Sequence, residues 1–333
     1  MSLLTKAAVT DKGAVLLGRY VACDAHDDSR PLRVVTHAHA DHLIGIEKSL
    51  RKCEKVLMTT ATKDLINVIR SPLLLMGGFV ETLDYGKTIQ HESERITFFR
   101  ADHILGAAQV LVEDEEGNRI VYTGDFRIDE TPVLDTDVLV IEATYGSPTC
   151  KRPFNKDVKN LLIDTVAKGL KHGVVYVFGY HGKLQEVMEI LHRANLKVLF
   201  IASEKVFQVS KICETHGMRL GRLMHSEEKE GKQLLETNAP CIAFYHMGSK
   251  GKIRGGFRVT VSGWEFNSPC REIGDEEFVI ALSDHSDFEG LMEYVRKSKP
   301  RLVIADNFRE GYAETFAREI RNRLGISATA LPK

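Results

Sequence analysis

The sequence predicts an α/β protein of about two domains, and three observations support this class. Its 333 residues correspond to about two domains at roughly 150 residues each. The first half shows short apolar runs of strand length, separated by turns. From residue 157 onward, predicted helices and strands alternate. Such alternation is typical of a parallel sheet covered by helices.

The elements of the first half follow from these apolar runs. An acidic turn at 114–118 contains Gly117 and Asn118 and separates two strand candidates, which predicts a β-hairpin. The run at 32–36 ends in a histidine-rich loop. The predicted elements are strands at 32–36, 56–59, 96–100, 109–113, 119–123 and 138–142, and a helix at 61–70.

The second half begins after a segment at 147–154 that contains two prolines. Its strands are rich in β-branched and aromatic residues, and its helices show apolar periodicity. The predicted strands lie at 174–178, 197–202, 241–246, 258–261, 278–282 and 302–305, and the helices at 157–172, 183–194, 204–216, 288–298 and 313–324.

The composition is that of an ordinary globular protein, with 43% hydrophobic and 27% charged residues. No run approaches about 18 apolar residues and no secretion signal is evident, so we expect no membrane contact and a cytoplasmic location. The six cysteines form no CxxC pair, which indicates reduced thiols. Because the formal net charge is −1, nucleic-acid binding would need a local basic patch.

The strongest motif lies directly after the run at 32–36. It places His37, His39, Asp41 and His42 within six residues. Alternate residues of an extended segment point the same way, so His37 and His39 can share one metal ion. Asp41 and His42 follow where the chain turns and can face a second ion. Imidazoles and carboxylates at this density are typical of a site for zinc or a similar divalent ion.

Two further candidates follow predicted strands. His103 precedes a turn of small residues at 106–108, and Asp125 stands in a Gly-Asp pair after the strand at 119–123. Apolar strands that end in one His or Asp match a site built at the rim of a sheet. Two metals about 3.5–4 Å apart, bridged by a carboxylate and a hydroxide, form a site for hydrolysis of phosphate esters.

This order of motifs resembles the metallo-β-lactamase fold. The resemblance implies two zinc sites, the second of which binds weakly or takes manganese. It also places Asp24 where the family often has a buried carboxylate behind the metals, with an ordinary turn aspartate as the alternative. The implied ligands are His37, His39 and His103 for the first metal, Asp41 and His42 for the second, and Asp125 as the bridge.

Downstream segments resemble the β-CASP nucleases of this fold, including DNA-ligase-associated exonucleases, crosslink-repair nucleases, cleavage and polyadenylation endonucleases and ribonuclease J. The resemblance implies a metallo-β-lactamase αββα sandwich formed by 1–146 and 278–333, with an α/β β-CASP-like cap inserted at 147–277. The segments are 140–146 around Glu142, 180–186 at a predicted helix start, Gly263 with Trp264, and 282–287 around His285.

The resemblance also implies chemical roles, with Asp41, Glu142 and His285 as the catalytic candidates. A metal-bound hydroxide would attack the phosphorus, and His285 would donate a proton to the leaving oxygen. Glu142 would hold the other ring nitrogen of His285 and support its charge. A helix-capping role for Glu142 and a surface-loop position for His285 are the alternatives.

One position departs from the relatives. Cleavage endonucleases and ribonuclease J place a second-metal histidine where this chain has Asp306, after the strand at 302–305. A carboxylate can bind zinc, so we expect Asp306 to be a ligand of the second metal. The alternatives are a helix cap and a hydrogen bond to loop amides.

The expected nucleic-acid contacts are local. A glycine-rich basic segment at 249–258 suits phosphate binding and base stacking, and a lysine at a helix start can meet a phosphate together with backbone N–H groups. A solvated loop and a helix-surface lysine are the alternatives. The candidates are Lys183, Lys250, Lys252 and Arg254 for phosphates and Phe257 for a base.

Together the motifs predict a metal-dependent nuclease for RNA or single-stranded DNA, with 5′→3′ exonuclease action by resemblance. One alternative is a hydrolase of a small ester or thioester, which the Glu142–His285 pair argues against. Another is a non-catalytic RNA-processing subunit, which the intact ligand set argues against. A homodimer or a partner in a processing or repair complex is compatible with the sequence.

Overall fold

The computed structural model describes residues 3–70 and 79–333. The chain divides into two compact units, one formed by Met1–Lys151 with His285–Lys333 and the other by Arg152–Asp284. Within the described ranges, no helix has the length and apolar character needed to cross a bilayer. The six cysteines are free thiols, and Cys270 is more accessible than the other five.

The first segment of the chain is rich in strands, several of them only three residues long. Two helices interrupt these strands. The elements are strands β1 (Ala7–Val9), β2 (Val15–Leu17), β3 (Val21–Cys23), β4 (Leu32–Val34), β5 (Lys55–Met58), β6 (Val80–Thr82), β7 (Thr88–His91), β8 (Glu94–Arg100), β9 (Ala108–Glu113), β10 (Arg119–Tyr122) and β11 (Val138–Ile141), and helices α1 (Ile46–Lys52) and α2 (Thr60–Ile69).

Helices and strands alternate in most of the remaining chain. The second unit contains α3 (Asn155–Gly169), β12 (Val174–Gly179), α4 (Lys183–Arg193), β13 (Phe200–Ala202), α5 (Glu204–Thr215), β14 (Leu223–His225), α6 (Lys229–Glu236), β15 (Cys241–His246), β16 (Phe257–Val261), β17 (Cys270–Gly274) and β18 (Glu277–Ile280). The returning segment contains α7 (Phe288–Ser298), β19 (Leu302–Asp306), α8 (Ala313–Leu324) and β20 (Ser327–Leu331).

The first unit has two mixed sheets. One has the order β1-β2-β3-β4-β5-β6 and is parallel from β3 onward. The other has the order β20-β19-β11-β10-β9-β8-β7, with a parallel part from β20 to β10 and an antiparallel part beyond. The predicted hairpin is confirmed, since β9 and β10 pair with Val112 opposite Ile120.

Both sheets of the first unit contribute to one apolar core. Val15 and Leu32 from the first sheet join Phe98, Tyr122 and Val140 from the second in a single buried cluster. Strands whose inner residues alternate with polar outer ones pack in this way, because burial of the apolar face drives the sheets together. The predicted polar residues follow the carboxyl ends of five strands, β3, β4, β8, β10 and β11.

The second unit has its own sheet, with the order β14-β13-β15-β12-β16-β18-β17. Its strands are parallel except for the edge strand β17, so the predicted parallel α/β sheet is confirmed. The strand predicted at 278–282 pairs with β16, which places it in this sheet rather than in the returning segment. Val174, Ile201 and Ala243 lie in the core of this unit.

Candidate metal centre

The predicted metal ligands stand just beyond strand ends of the first unit. His37 and His39 follow β4, and a single turn of 3-10 helix at Ala40–His42 then reverses the chain. The remaining candidates follow their strands in the same manner: Asp24 follows β3, His103 follows β8, Asp125 follows β10 and Glu142 follows β11.

Three imidazole rings converge on one point. His39 Nδ1 lies 3.2 Å from His37 Nε2 and 3.1 Å from His103 Nε2. Ligands of a tetrahedral zinc ion, with Zn–N bonds of about 2.0–2.1 Å, are about 3.3 Å apart. The ring nitrogens therefore have the spacing that one shared ion requires. The ligand atoms of these histidines and Asp125 all lie within 4.8 Å of one another.

Asp125 lies between this group and His42. Its Oδ2 is 3.6 Å from His37 Nε2, 3.9 Å from His103 Nε2 and 3.2 Å from His42 Nε2. One carboxylate oxygen thus faces imidazoles on both sides, which is the position that a bridging ligand of two metals would take.

Thr36 and Asp24 fix the orientation of two histidines. The Thr36 hydroxyl donates to Asp24 Oδ2 at 2.8 Å, so it accepts from His37 Nδ1 at 3.1 Å. His42 Nδ1 donates to the same Asp24 oxygen at 2.8 Å. In both rings Nε2 is then left with its lone pair toward the cluster, which is the tautomer that binds a metal. Asp24 itself is fully buried at a φ of 63°.

Two glycines explain why the loops can approach so closely. Gly106, in the turn after His103, has a φ of 82°, and a Cβ there would lie 2.6 Å from the Thr62 amide nitrogen. Gly124, before Asp125, has a φ of 57° and would place a Cβ 3.1 Å from a backbone oxygen. Both conformations favour glycine, so these residues let the ligand loops turn at the sheet rim.

The electrostatics of the histidines suit a bound cation. Burial lowers the pKa of His37 well below its ordinary value, and the neighbouring His42 and His103 add to this effect. His37 is therefore neutral, as a metal ligand must be. Burial alone would raise the pKa of Asp125, but the imidazole of His42 outweighs it and lowers that pKa well below its usual range.

The pKa of His42 shows that the carboxylates around it favour a positive charge. Burial would lower its pKa, but Asp125, Asp24 and Asp41 raise the pKa of His42 well above its ordinary value. Its Nε2 is buried and makes no well-directed hydrogen bond within the described residues, although Asp125 Oδ2 and Asp41 Oδ2 lie 3.2 and 3.4 Å away. A buried ring nitrogen flanked by two carboxylates fits a cation, either its own proton or a metal ion, so the residues present suit a second metal.

Glu142 and His285 form a pair beside this cluster. His285 Nδ1 lies 2.9 Å from Glu142 Oε2, and the Phe126 amide donates to Glu142 Oε1 at 2.8 Å. Glu142 is buried, and the His285 ring packs against His103 with ring centroids 4.8 Å apart. The carboxylate is thus fixed by the backbone and in turn orients the imidazole.

Asp306 does not join the converging ligands. Its Oδ2 pairs with Arg309 Nη1 at 2.5 Å, and its Oδ1 accepts from the Phe308 amide at 3.0 Å. The hydrogen bond from the Phe308 amide matches the alternative role considered for Asp306, a hydrogen bond to loop amides. The sequence interpretation assigned no role to Arg309, which lies in the loop between β19 and α8.

The residues of the second unit that were predicted to contact nucleic acid differ in whether their side chains are buried, paired or exposed. The prediction for Phe257 is corrected, because this ring is buried and stacks on Phe278 with centroids 5.0 Å apart. Lys183 is buried and pairs with Asp284 at 2.9 Å. Lys250 is paired with Glu277 at 2.9 Å, whereas Lys252 and Arg254 are exposed.

The first unit is thus an α/β structure whose strand ends gather histidines and carboxylates into a group able to hold metal, with the hydrogen-bonded Glu142–His285 pair next to it. No family model matches the chain. In the solved structures, a protein of unknown function from Enterococcus faecalis V583 has a similar fold, with a TM-score of 0.59, 13% identity, and 90% of this chain and 92% of that one covered.

The chain is 41% identical over 138 residues to an uncharacterized protein in the lig 3′ region of Acidianus ambivalens, covering 41% of this chain and 99% of that one. It is 30% identical to an RNase J-like protein of Methanocaldococcus jannaschii, covering 55% of this chain and 50% of that one. It is also 30% identical to RNase aCSPSF2 of Saccharolobus solfataricus, covering 49% of this chain and 38% of that one.

The chain therefore belongs to the β-CASP family of metallo-β-lactamase-fold nucleases. It spans nearly the whole Acidianus protein but half or less of the length of these two named ribonucleases.

Proposed function

We propose that this chain is a two-metal nuclease that hydrolyses phosphodiester bonds of RNA or single-stranded DNA, with 5′→3′ exonuclease polarity. The observation that carries the proposal is the convergence of His37, His39, His103 and Asp125 beside the Glu142–His285 pair. The names of the ribonuclease relatives support the nucleic-acid substrate. In this proposal the first unit is the αββα metallo-β-lactamase domain and the second unit is its β-CASP-like cap.

The proposed metals are zinc in the first site and zinc or manganese in the second. When bound, they would supply an activated water and neutralise the charge of the scissile phosphate. The residues of the chain hold the remaining roles. His37, His39 and His103 would hold the first ion, Asp41 and His42 the second, and Asp125 both.

Glu142 and His285 would manage the proton of the leaving group. Glu142 accepts from Nδ1 of His285 and so supports a positive charge on the ring. Nε2 is then the atom from which a proton would pass to the departing ribose or deoxyribose oxygen. The Phe126 amide keeps the Glu142 carboxylate in place during this transfer.

A cleavage assay tests the proposal. End-labelled single-stranded RNA and DNA, with either a 5′-phosphate or a 5′-hydroxyl, are incubated with protein loaded with zinc or manganese. We expect stepwise shortening from the 5′ end. Turnover of a simple phosphodiester without cleavage of any oligonucleotide would contradict the nuclease proposal and favour a hydrolase of small esters.

A further inference from the structure

Arg309 is a buried cation beside the ligands proposed for the second metal. Its Nη2 lies 3.4 Å from the backbone oxygen of Asp41 and 3.3 Å from that of Gly13, while Nη1 pairs with Asp306. The side chain is 9% exposed, and Nε is buried without a hydrogen-bond partner in residues 3–70 and 79–333. A guanidinium keeps its charge in such a setting.

This charge reaches the metal ligands. Burial opposes the charged form of Arg309, but Tyr122 and three carboxylates outweigh it and raise the pKa of Arg309 well above its ordinary value. Arg309 Nη2 lies 3.4 Å from the backbone oxygen of Asp41, which with His42 is proposed to hold the second ion. A divalent ion held by Asp41 and His42 would be repelled by this nearby buried positive charge. The three carboxylates are Asp306, Asp24 and Asp125.

We propose that Arg309 weakens the second-metal site and that Asp306 acts on this site by neutralising Arg309, not by binding the ion. Both Asp306 oxygens are engaged, one by Arg309 and one by the Phe308 amide. The inference rests on the proposed metallonuclease function. It makes Arg309 and Asp306 positioning residues that set the difference in affinity between the two ions.

The turn that carries Asp41 and His42 has a second support. Arg33, fully buried, donates to the backbone oxygen of His42 at 3.0 Å and to that of Ile44 at 3.3 Å. Removal of Arg309 should therefore leave this turn in place. The effect of an Arg309 variant on metal affinity then reports on charge rather than on loss of the turn.

Calorimetric titration of metal-free protein with manganese, with metal content checked by elemental analysis, tests the inference. In Arg309→Met we expect the second ion to bind about tenfold tighter or more, because the repulsion is gone and the Asp306 carboxylate is unmasked. In Asp306→Asn we expect binding about tenfold weaker. In the double variant, the affinity for the second ion should return to within about threefold of the wild-type value. The pair of positions 306 and 309 has no net charge in either protein.

Direct ligation by Asp306 predicts a different result for the double variant. It would then bind the second ion as weakly as Asp306→Asn alone, and that outcome would overturn the inference. Unchanged or weaker binding in Arg309→Met would overturn it as well. Arg309→Gln serves as a second neutral variant should the methionine variant fail to fold, and Arg309→Lys should remain within about threefold of the wild type.

Arg100→Met is the matched control. Arg100 also pairs with a carboxylate, Glu130 at 3.0 Å, but this pair is exposed. We expect both metal affinities to be unchanged in this variant. Wild-type protein that binds no metal would contradict the proposed function itself, whereas two sites insensitive to Arg309 would contradict only the present inference.

Discussion

The two units differ in how their candidate functional side chains are arranged. In the first unit, ring nitrogens and carboxylates are brought together at strand ends until His37, His39 and His103 point at one another. In the second unit, two of the four charged residues expected to bind nucleic acid are paired, Lys183 with Asp284 and Lys250 with Glu277.

This difference separates residues that need a ligand from residues that stabilise the fold. Convergent imidazoles leave a cluster that is electrostatically incomplete without a cation, whereas a buried lysine–carboxylate pair is complete by itself. We therefore expect substitutions of the clustered histidines and carboxylates of the first unit to abolish chemistry. Substitutions in the second unit should change stability or substrate affinity. The four predictions below test this division, beginning with the largest effect.

The largest effect is expected at the metal ligands. His39→Ala and Asp125→Ala should each remove phosphodiester cleavage, because His39 lies between the other two imidazoles and Asp125 faces both sides of the cluster. Elemental analysis measures the metal content of each variant, and a cleavage assay measures its activity. His91→Ala, a partly exposed strand histidine of the same unit, is the control and should retain metal and activity. Full activity of Asp125→Ala would refute the bridging role.

The next effect is expected at His285, the proposed proton donor. His285→Ala should lower turnover by about 10²- to 10⁴-fold with both metals still bound, because it removes the acid and not a ligand. Glu142→Gln should also lower turnover, since the amide no longer supports a charged ring. Single-turnover cleavage with parallel metal analysis separates chemistry from metal loss. A metal-loaded His285→Ala protein that cleaves at the wild-type rate would exclude His285 from the mechanism.

The fold was predictable where its elements are long and alternate. The bounds of α4 and α7 lie within one residue of the predicted helices at 183–194 and 288–298. The strands β1, β2 and β3 were not predicted, because each has three residues and, unlike β4 and β13, none lies in a longer apolar run that the sequence analysis recognised. Phe257 was misplaced for a related reason. The strand was predicted to begin at 258, which left Phe257 in the preceding loop, whereas β16 begins at Phe257 and buries its ring.

The candidate site was predictable where its residues are close in sequence. His37 to His42 and the single residues at later strand ends were identified by residue type and position. Arg309 was not, because its role depends on backbone oxygens of Gly13 and Asp41, which lie far away in sequence. Such long-range contacts leave no local pattern.

A third, smaller effect tests whether Lys183 supports the fold of the second unit. Its side chain and that of Asp284 are both buried, so Lys183→Met leaves a buried carboxylate without its ammonium. Loss of one partner of a buried pair costs about 3–5 kcal/mol. Urea unfolding should show this decrease, while Lys211→Met, which breaks an exposed pair on α5, should change stability by less than about 1 kcal/mol. Unchanged stability with loss of nucleic-acid affinity would instead support phosphate binding by Lys183.

The smallest effect is expected at Lys252 and Arg254, the exposed cations of the predicted basic segment. If each contacts one phosphate, its replacement by alanine should weaken binding of single-stranded RNA of any sequence to a similar degree. The dependence of log affinity on log salt concentration should lose about 0.7 in slope per residue, because one fewer counterion equivalent is released. Fluorescence anisotropy at several salt concentrations measures both quantities. Lys211→Ala, an exposed lysine of the same unit that is paired with Glu214, should leave the slope unchanged. An unchanged slope in the double variant Lys252→Ala/Arg254→Ala would assign this segment to solvent, and the nucleic-acid surface would then have to be sought elsewhere on the chain.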